Sequence, residues 1–161
     1  MTSSSDLTDP AALAARLASV EARIDETERR LAAAEDELAI LRILGSYSPR
    51  VDSGDAEGVA QLWTDDGVYD VDTGRLEGHD GLVEMVRGDA HQELIAHGCG
   101  HVPSLPVVVL DGDSAVATGY TQLVVRSSRP GRYTVLRVTA NRWELERRGP
   151  VDAPDRGWRV V

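Results

Sequence analysis

The chain has 161 residues, 42% hydrophobic and 27% charged, with a net charge of −10 at pH 7, which suits one soluble globular domain of ordinary size plus an extension. No apolar run approaches the roughly 20 residues of a membrane span, no basic-then-apolar leader opens the chain, and the acidic balance argues against a nucleic-acid partner. The single cysteine, Cys99, cannot form an internal disulfide and points to a reducing, cytoplasmic setting, while the basic total of 17 is arginine alone, a usage that suggests a GC-rich bacterial genome.

Residues 1–9 are polar and expected to be disordered. Asp9-Pro10 reads as a helix start, with Asp at the N-cap and Pro at the first helical position. From Ala11 to Leu44 there is no Gly or Pro. The stripe Leu13, Leu17, Val20, Ile24, Thr27, Leu31, Ala34, Leu38, Leu41 steps by fours and threes, a heptad pattern over about four repeats.

With Leu17, Ile24, Leu31 and Leu38 at the a positions, the g positions are Arg16, Arg23, Arg30 and Glu37, and the e positions are Ala14, Glu21, Glu28 and Glu35. A parallel pair of helices sets Arg16 against Glu21, Arg23 against Glu28 and Arg30 against Glu35. An antiparallel pair sets like against like. The spacing therefore predicts a homo-oligomer built on a parallel coiled-coil arm, residues 10–41. Thr27 and Ala34 at d leave dimer or trimer open. The other reading of the stripe is a helix face covered by the protein's own domain.

Gly45 and Pro49 interrupt the helical pattern near Tyr47, so the domain is expected over residues 42–161. A short helix is predicted over Ala56–Trp63, a turn at Asp65-Asp66-Gly67, a strand over Val68–Asp72 and a helix over His79–Val86. Val107–Leu110 and Ala115–Arg126 flank Asp111-Gly112-Asp113 as a hairpin. Pro130-Gly131 marks a turn before a long strand, Tyr133–Glu146. A polar loop, Arg148–Arg156, leads to a last strand at Trp158–Val161. Helices first and antiparallel strands later make an α+β pattern.

Dinucleotide, phosphate-loop, zinc-ribbon and serine-elbow signatures are absent. His91, His97 and His101 have no carboxylate or Cys pair at metal-ligand spacing, so no metal site is expected. No cofactor is implied. What remains is acid–base chemistry, which needs a His or carboxylate held in an apolar pocket. The candidates are Asp52, Asp55, Asp70, Asp72 and His101. Asp55 also reads as the N-cap of the helix at Ala56. The turn residues Asp65, Asp66, Asp111 and Asp113 are expected to be structural, and Cys99 an inert small side chain.

Tyr47-Ser-Pro-Arg-Val-Asp52-Ser-Gly-Asp55 and Leu62-Trp-Thr-Asp-Asp-Gly-Val-Tyr69 resemble the nuclear transport factor 2-like superfamily. The resemblance continues through Gly78-His-Asp-Gly81, Gly100-His101, Val109–Ala115, Gly119–Leu123, Ala140-Asn-Arg-Trp143 and Gly157-Trp-Arg159. It is strongest to the SnoaL-like domains of the scytalone dehydratase and lindane dehydrochlorinase branch. It implies a cone-shaped, curved, mostly antiparallel sheet wrapped by N-terminal helices around an apolar pocket.

The resemblance also implies roles. His101 falls on the general base, opening a hairpin strand, and Asp52 on the carboxylate that orients it. Asn141 falls on a pocket asparagine. Tyr47, Tyr69, Trp63 and Tyr120 are the expected substrate-binding aromatics, with Trp143 as core or lining. Departures are equally specific. The dehydratase's two water-holding tyrosines become Val51 and Val71, and its second histidine becomes Ser127. Tyr47 matches the oxyanion tyrosine of ketosteroid isomerase, but Val71 and Thr139 replace that enzyme's base and second acid. The expectation is a cofactor-free lyase, dehydratase-like, or an isomerase or cyclase, acting on a small apolar molecule. The alternative is a non-catalytic binding or oligomerisation module. The β-subunit of an oxygenase shares the scaffold but needs a large partner subunit.

Overall fold

A computed structural model describes residues 9–71 and 74–161. The N-terminal stretch expected to be disordered lies, up to Thr8, outside the described residues, and so does Asp72. The chain divides into two compact units at Asp36/Glu37. No described helix is long and apolar enough to cross a membrane.

Helix α1 spans Pro10–Ser53. Asp9 opens it: its carboxylate accepts from the Ala11 N–H at 3.1 Å. The helix does not stop near Tyr47. Gly45 and Pro49 are one turn apart and both exposed, so the Gly45 carbonyl that Pro49 cannot serve faces water. On the opposite side Ile40, Ile43, Leu44, Tyr47 and Val51 are buried in the core. That burial outweighs the helix-propensity cost of about 1 kcal/mol for Gly and 3 for Pro.

The helix ends where glycine permits. Gly54 has φ +77°. The Gly54 N–H reaches the Val51 carbonyl at 3.3 Å and the Asp55 N–H reaches the Arg50 carbonyl at 3.0 Å, a Schellman closure. Asp55 then caps α2 (Ala56–Ala60), its carboxylate accepting from the Gly58 N–H. This helix stops short of Trp63, whose segment instead bridges to Val160.

Strands β1 (Val68–Val71) and β2 (Gly74–Glu77) form a two-stranded antiparallel sheet. Helix α3 (Gly78–Arg87) buries Leu82 and Val86, and α4 (Asp89–His97) follows. Neither β2 nor α4 is predicted by periodicity, because each is short and lacks a clear apolar repeat.

The main sheet has five antiparallel strands: β3 (Cys99–Pro103), β4 (Val107–Asp111), β5 (Ser114–Arg126), β6 (Tyr133–Arg147) and β7 (Trp158–Val160). It curls into a half-barrel, the cone-shaped α+β fold. β5 and β6 form its spine, with a register shift at Leu123/Val124. β4 pairs with one end of β5 and β3 with the other. Gly112 at φ +59° makes the tight β4–β5 turn. His101 therefore lies inside a strand of its own and does not open the hairpin, because Ser104–Pro106 break the run between β3 and β4. The core of this unit centres on Ile40, Val51, Val59, Trp63, Leu82, Leu145 and Trp158.

Candidate active site

The last turn of α1 and the middle of β3 meet. Asp52 Oδ1 lies 2.6 Å from His101 Nδ1, and Asp52 Oδ2 accepts from the His101 backbone N–H at 2.8 Å. The carboxylate thus holds both the ring and the strand that carries it. The two side chains are only 12% and 20% exposed for His101 and Asp52 respectively. A carboxylate has no proton to give, so the contact places the imidazole proton on Nδ1 and leaves the Nε2 lone pair without a hydrogen-bond partner among the described residues.

His101 lines a cavity of about 950 Å³. Strand pairing explains what faces it. His101 sits opposite Leu123, and Leu123 opposite Arg137, so the three share one rung across β3, β5 and β6. Two-residue periodicity then turns Arg137, Thr139, Asn141 and Trp143 to the same side of β6, and all four line the cavity. Asn141 Nδ2 donates to Thr121 Oγ1 at 2.6 Å. Its amide oxygen and second N–H have no partner among the described residues.

The opposite wall is aromatic. Tyr47 meets Trp63 and Trp143 edge-on at 5.7 and 5.6 Å, and Trp63 meets Tyr69 at 6.0 Å. The Tyr47 hydroxyl donates to the Tyr69 hydroxyl at 3.3 Å, leaving the Tyr69 proton available. Burial, and secondarily Tyr69, push the Tyr47 phenol well above its ordinary value, against a smaller downward pull from the Arg137 guanidinium. The Tyr47 phenol is therefore a neutral donor or acceptor at physiological pH.

The other candidates separate from this cluster. Tyr120 lies outside the His101 cavity, because the alternation that turns Thr121 inward sends Tyr120 to the outer face of β5, 61% exposed. Trp63 lines the cavity but is a core residue, 2% exposed. Asp70 stands at the rim beside Arg75, 3.6 Å away, with its side chain largely exposed. Asp55 is occupied as a cap. His91 Nε2 contacts the Val51 carbonyl and His97 Nε2 the Arg126 carbonyl, so the three histidines do not converge. No group of three His, Cys, Asp or Glu able to hold a metal occurs among the described residues. Cys99 Sγ lies 3.8 Å from Asp52 Oδ1. Burial and the Asp52 carboxylate raise its thiol above the usual value, so it stays protonated. Val71 and Thr139 line the cavity, whereas Val51 is core.

Arg137 is the charged residue on the inward face of β6 that sequence reasoning missed, and Thr121, the partner of Asn141, was missed with it. The available signal was parity: Asn141 and Thr139 define the inward face of β6, and Arg137 is two further residues along.

Residues 32–161 match the family described as the SnoaL-like domain. The chain belongs to that family. An NTF2-like protein with a cystatin-like fold from Novosphingobium aromaticivorans is 32% identical to this SnoaL-like chain, covering 96% of it and 86% of the other at a TM-score of 0.71. The hexachlorocyclohexane dehydrochlorinase LinA-type3 from Novosphingobium barchaimii shares the fold at 18% identity, covering 81% of this chain and 85% of that one, with a TM-score of 0.66. ActVI-ORFA from Streptomyces coelicolor does so at 17% identity, covering 76% and 90%, with a TM-score of 0.63. No curated protein matches the sequence.

Proposed function

We propose that this SnoaL-like domain is a cofactor-free acid–base enzyme, a lyase or isomerase, acting on a small, largely apolar molecule in the His101 cavity. The observation that carries the reading is the Asp52–His101 contact inside a cavity with an aromatic wall. His101 Nε2 takes a proton from a substrate carbon. The released electron pair forms an enolate or expels a leaving group, and the imidazolium that results is held by Asp52. Asn141, the Tyr47–Tyr69 hydroxyl pair and the Arg137 guanidinium are the donors that support developing negative charge on oxygen or on the departing group. Trp63 and Trp143 supply apolar wall.

The chemistry favours a substrate with an acidified C–H beside a carbonyl or a leaving group, as in a cyclic β-hydroxy ketone or a polyhalogenated ring. The exposed apolar stripe of the arm favours a homo-oligomer, dimer or trimer, and the lone cysteine favours the cytoplasm.

The full chain is incubated with cyclic β-hydroxy ketones and with hexachlorocyclohexane, and water loss or chloride release is followed. His101→Ala and Asp52→Asn are expected to lower turnover by about 10³-fold or more with unchanged circular dichroism. A His101→Ala protein that retains full activity sinks the base assignment. Saturable binding of these compounds by a wild-type protein that never turns them over, nor exchanges their acidic protons in D2O, favours the binding-module reading.

A further inference from the structure

We infer that residues 13–41 of α1 form an interaction surface for another copy of this chain, joined in parallel and in register. Leu13, Leu17, Val20, Ile24, Leu31 and Leu38 remain between 46% and 58% exposed. Between Leu13 and Leu38 no other large apolar side chain occurs on the helix. At 100° per residue, Leu38 lies about 200° around the helix from Ile40 and about 140° from Ile43. Ile40 and Ile43 are buried in the core of their unit, so Leu38 lies on the other side of the helix from the residues that this core covers.

The weak positions of the seam are already accommodated. Thr27, a polar residue at d, donates its hydroxyl to the Arg23 carbonyl at 2.7 Å within its own helix. Its methyl is thereby left for the seam with no unsatisfied polar atom. Ala34, also at d, allows close approach.

Charge identifies the partner. Among the described residues, Arg16, Glu21, Arg23, Glu28 and Arg30 make no ion pair within the chain. In a parallel assembly each g residue faces the e′ residue five positions on. That produces Arg16–Glu21, Arg23–Glu28, Arg30–Glu35 and, with its sign inverted, Glu37–Arg42. All four contacts are attractive. The antiparallel arrangement brings the g rows together, Arg except for Glu37, and the e-row residues Glu21, Glu28 and Glu35 together, so most of its contacts are between like charges. A surface that complements itself only in the parallel sense is built for its own kind.

The test is the mass of the full chain in solution by light scattering at tens of micromolar. Ile24→Glu with Leu31→Glu, both at exposed positions that the folded monomer does not need, is expected to reduce the mass and weaken association by on the order of a hundredfold. Arg16→Glu, Arg23→Glu and Arg30→Glu together are expected to do the same in a salt-dependent way. The sheet also leaves Val107, Val109 and Val138 exposed, so Val107→Glu with Val138→Glu serves as the control that leaves arm association in place. Orientation is read from Leu13→Cys in a Cys99→Ala background, where a disulfide between equivalent positions forms in the parallel arrangement. A wild-type monomer, a mass indifferent to the arm substitutions, or an oligomer whose Leu13→Cys chains fail to cross-link overturns the inference.

Discussion

Asp52→Asn isolates one atom. In the native protein the carboxylate accepts two hydrogen bonds from a single residue, the His101 ring N–H at 2.6 Å and the His101 backbone N–H at 2.8 Å. Asparagine keeps the shape but supplies one acceptor and one donor. If its oxygen stays with the ring, the amide NH2 confronts the backbone N–H, donor against donor. If its oxygen stays with the backbone, the NH2 confronts Nδ1, and the ring can yield by moving its proton to Nε2. A peptide N–H cannot tautomerise and an imidazole can, so the second arrangement wins.

The magnitude follows from the same contacts. A charge-assisted bond is worth about 1.5–3 kcal/mol and a neutral one about 0.5–1.5, so converting two of them costs about 2 kcal/mol. For a chain of this size that lowers Tm by about 4–8 °C. Nitrogen-15 NMR of the imidazole reads the tautomer directly, with no substrate required. The native protein is expected to carry the proton on Nδ1 and Asp52→Asn on Nε2, with the Tm shift measured alongside. An Nε2–H tautomer in the native protein, or an Nδ1–H tautomer surviving in the variant at unchanged Tm, refutes the reasoning and removes the free lone pair that a general base requires.

Gly54→Ala meets no clash, since the nearest atoms to a new Cβ are 3.5 Å away, but it forces a side chain into φ +77°. Its cost is conformational, about 1–2 kcal/mol, read from a urea midpoint; a neutral substitution contradicts the Schellman closure of α1. Because burial raises the Tyr47 phenol, the native state binds more protons than the unfolded chain between the unfolded value near 10 and the higher folded value. Stability contributed by this group is therefore complete below pH 10 and lost as pH rises through the folded value. Tyr47→Phe is expected to flatten that alkaline decline, measured by denaturant midpoints across pH 9 to 11. Cys99, raised by burial and by Asp52, is expected to alkylate slowly with iodoacetamide near neutrality and faster as pH climbs. In Asp52→Asn the rate at any one pH should increase, and a rate indifferent to that substitution removes the carboxylate from the cause.

Much of the molecule is written in local pattern. The heptad stripe of the arm, the Asp9 cap, the Asp55 cap and the Gly112 hairpin each depend on neighbours a few residues apart, where residue type and spacing suffice. The order of helices before antiparallel strands, with the scattered motifs from Tyr47 to Trp158, is enough to place the chain on its fold. What the sequence could not decide depends on partners distant along the chain. Helix α1 runs through Gly45 and Pro49 because their side of the helix faces water while Tyr47 and Val51 are buried by elements that come later. Arg137 reaches the site, and Tyr120 leaves it, by strand parity that only the pairing of β5 with β6 sets. Asp52 and His101 are 49 residues apart, and their contact exists because a glycine ends one helix where a strand of the curled sheet passes. Local preference is a matter of about 1 kcal/mol per residue; burial summed over the core is larger, and it was the tertiary structure that decided where the two conflict.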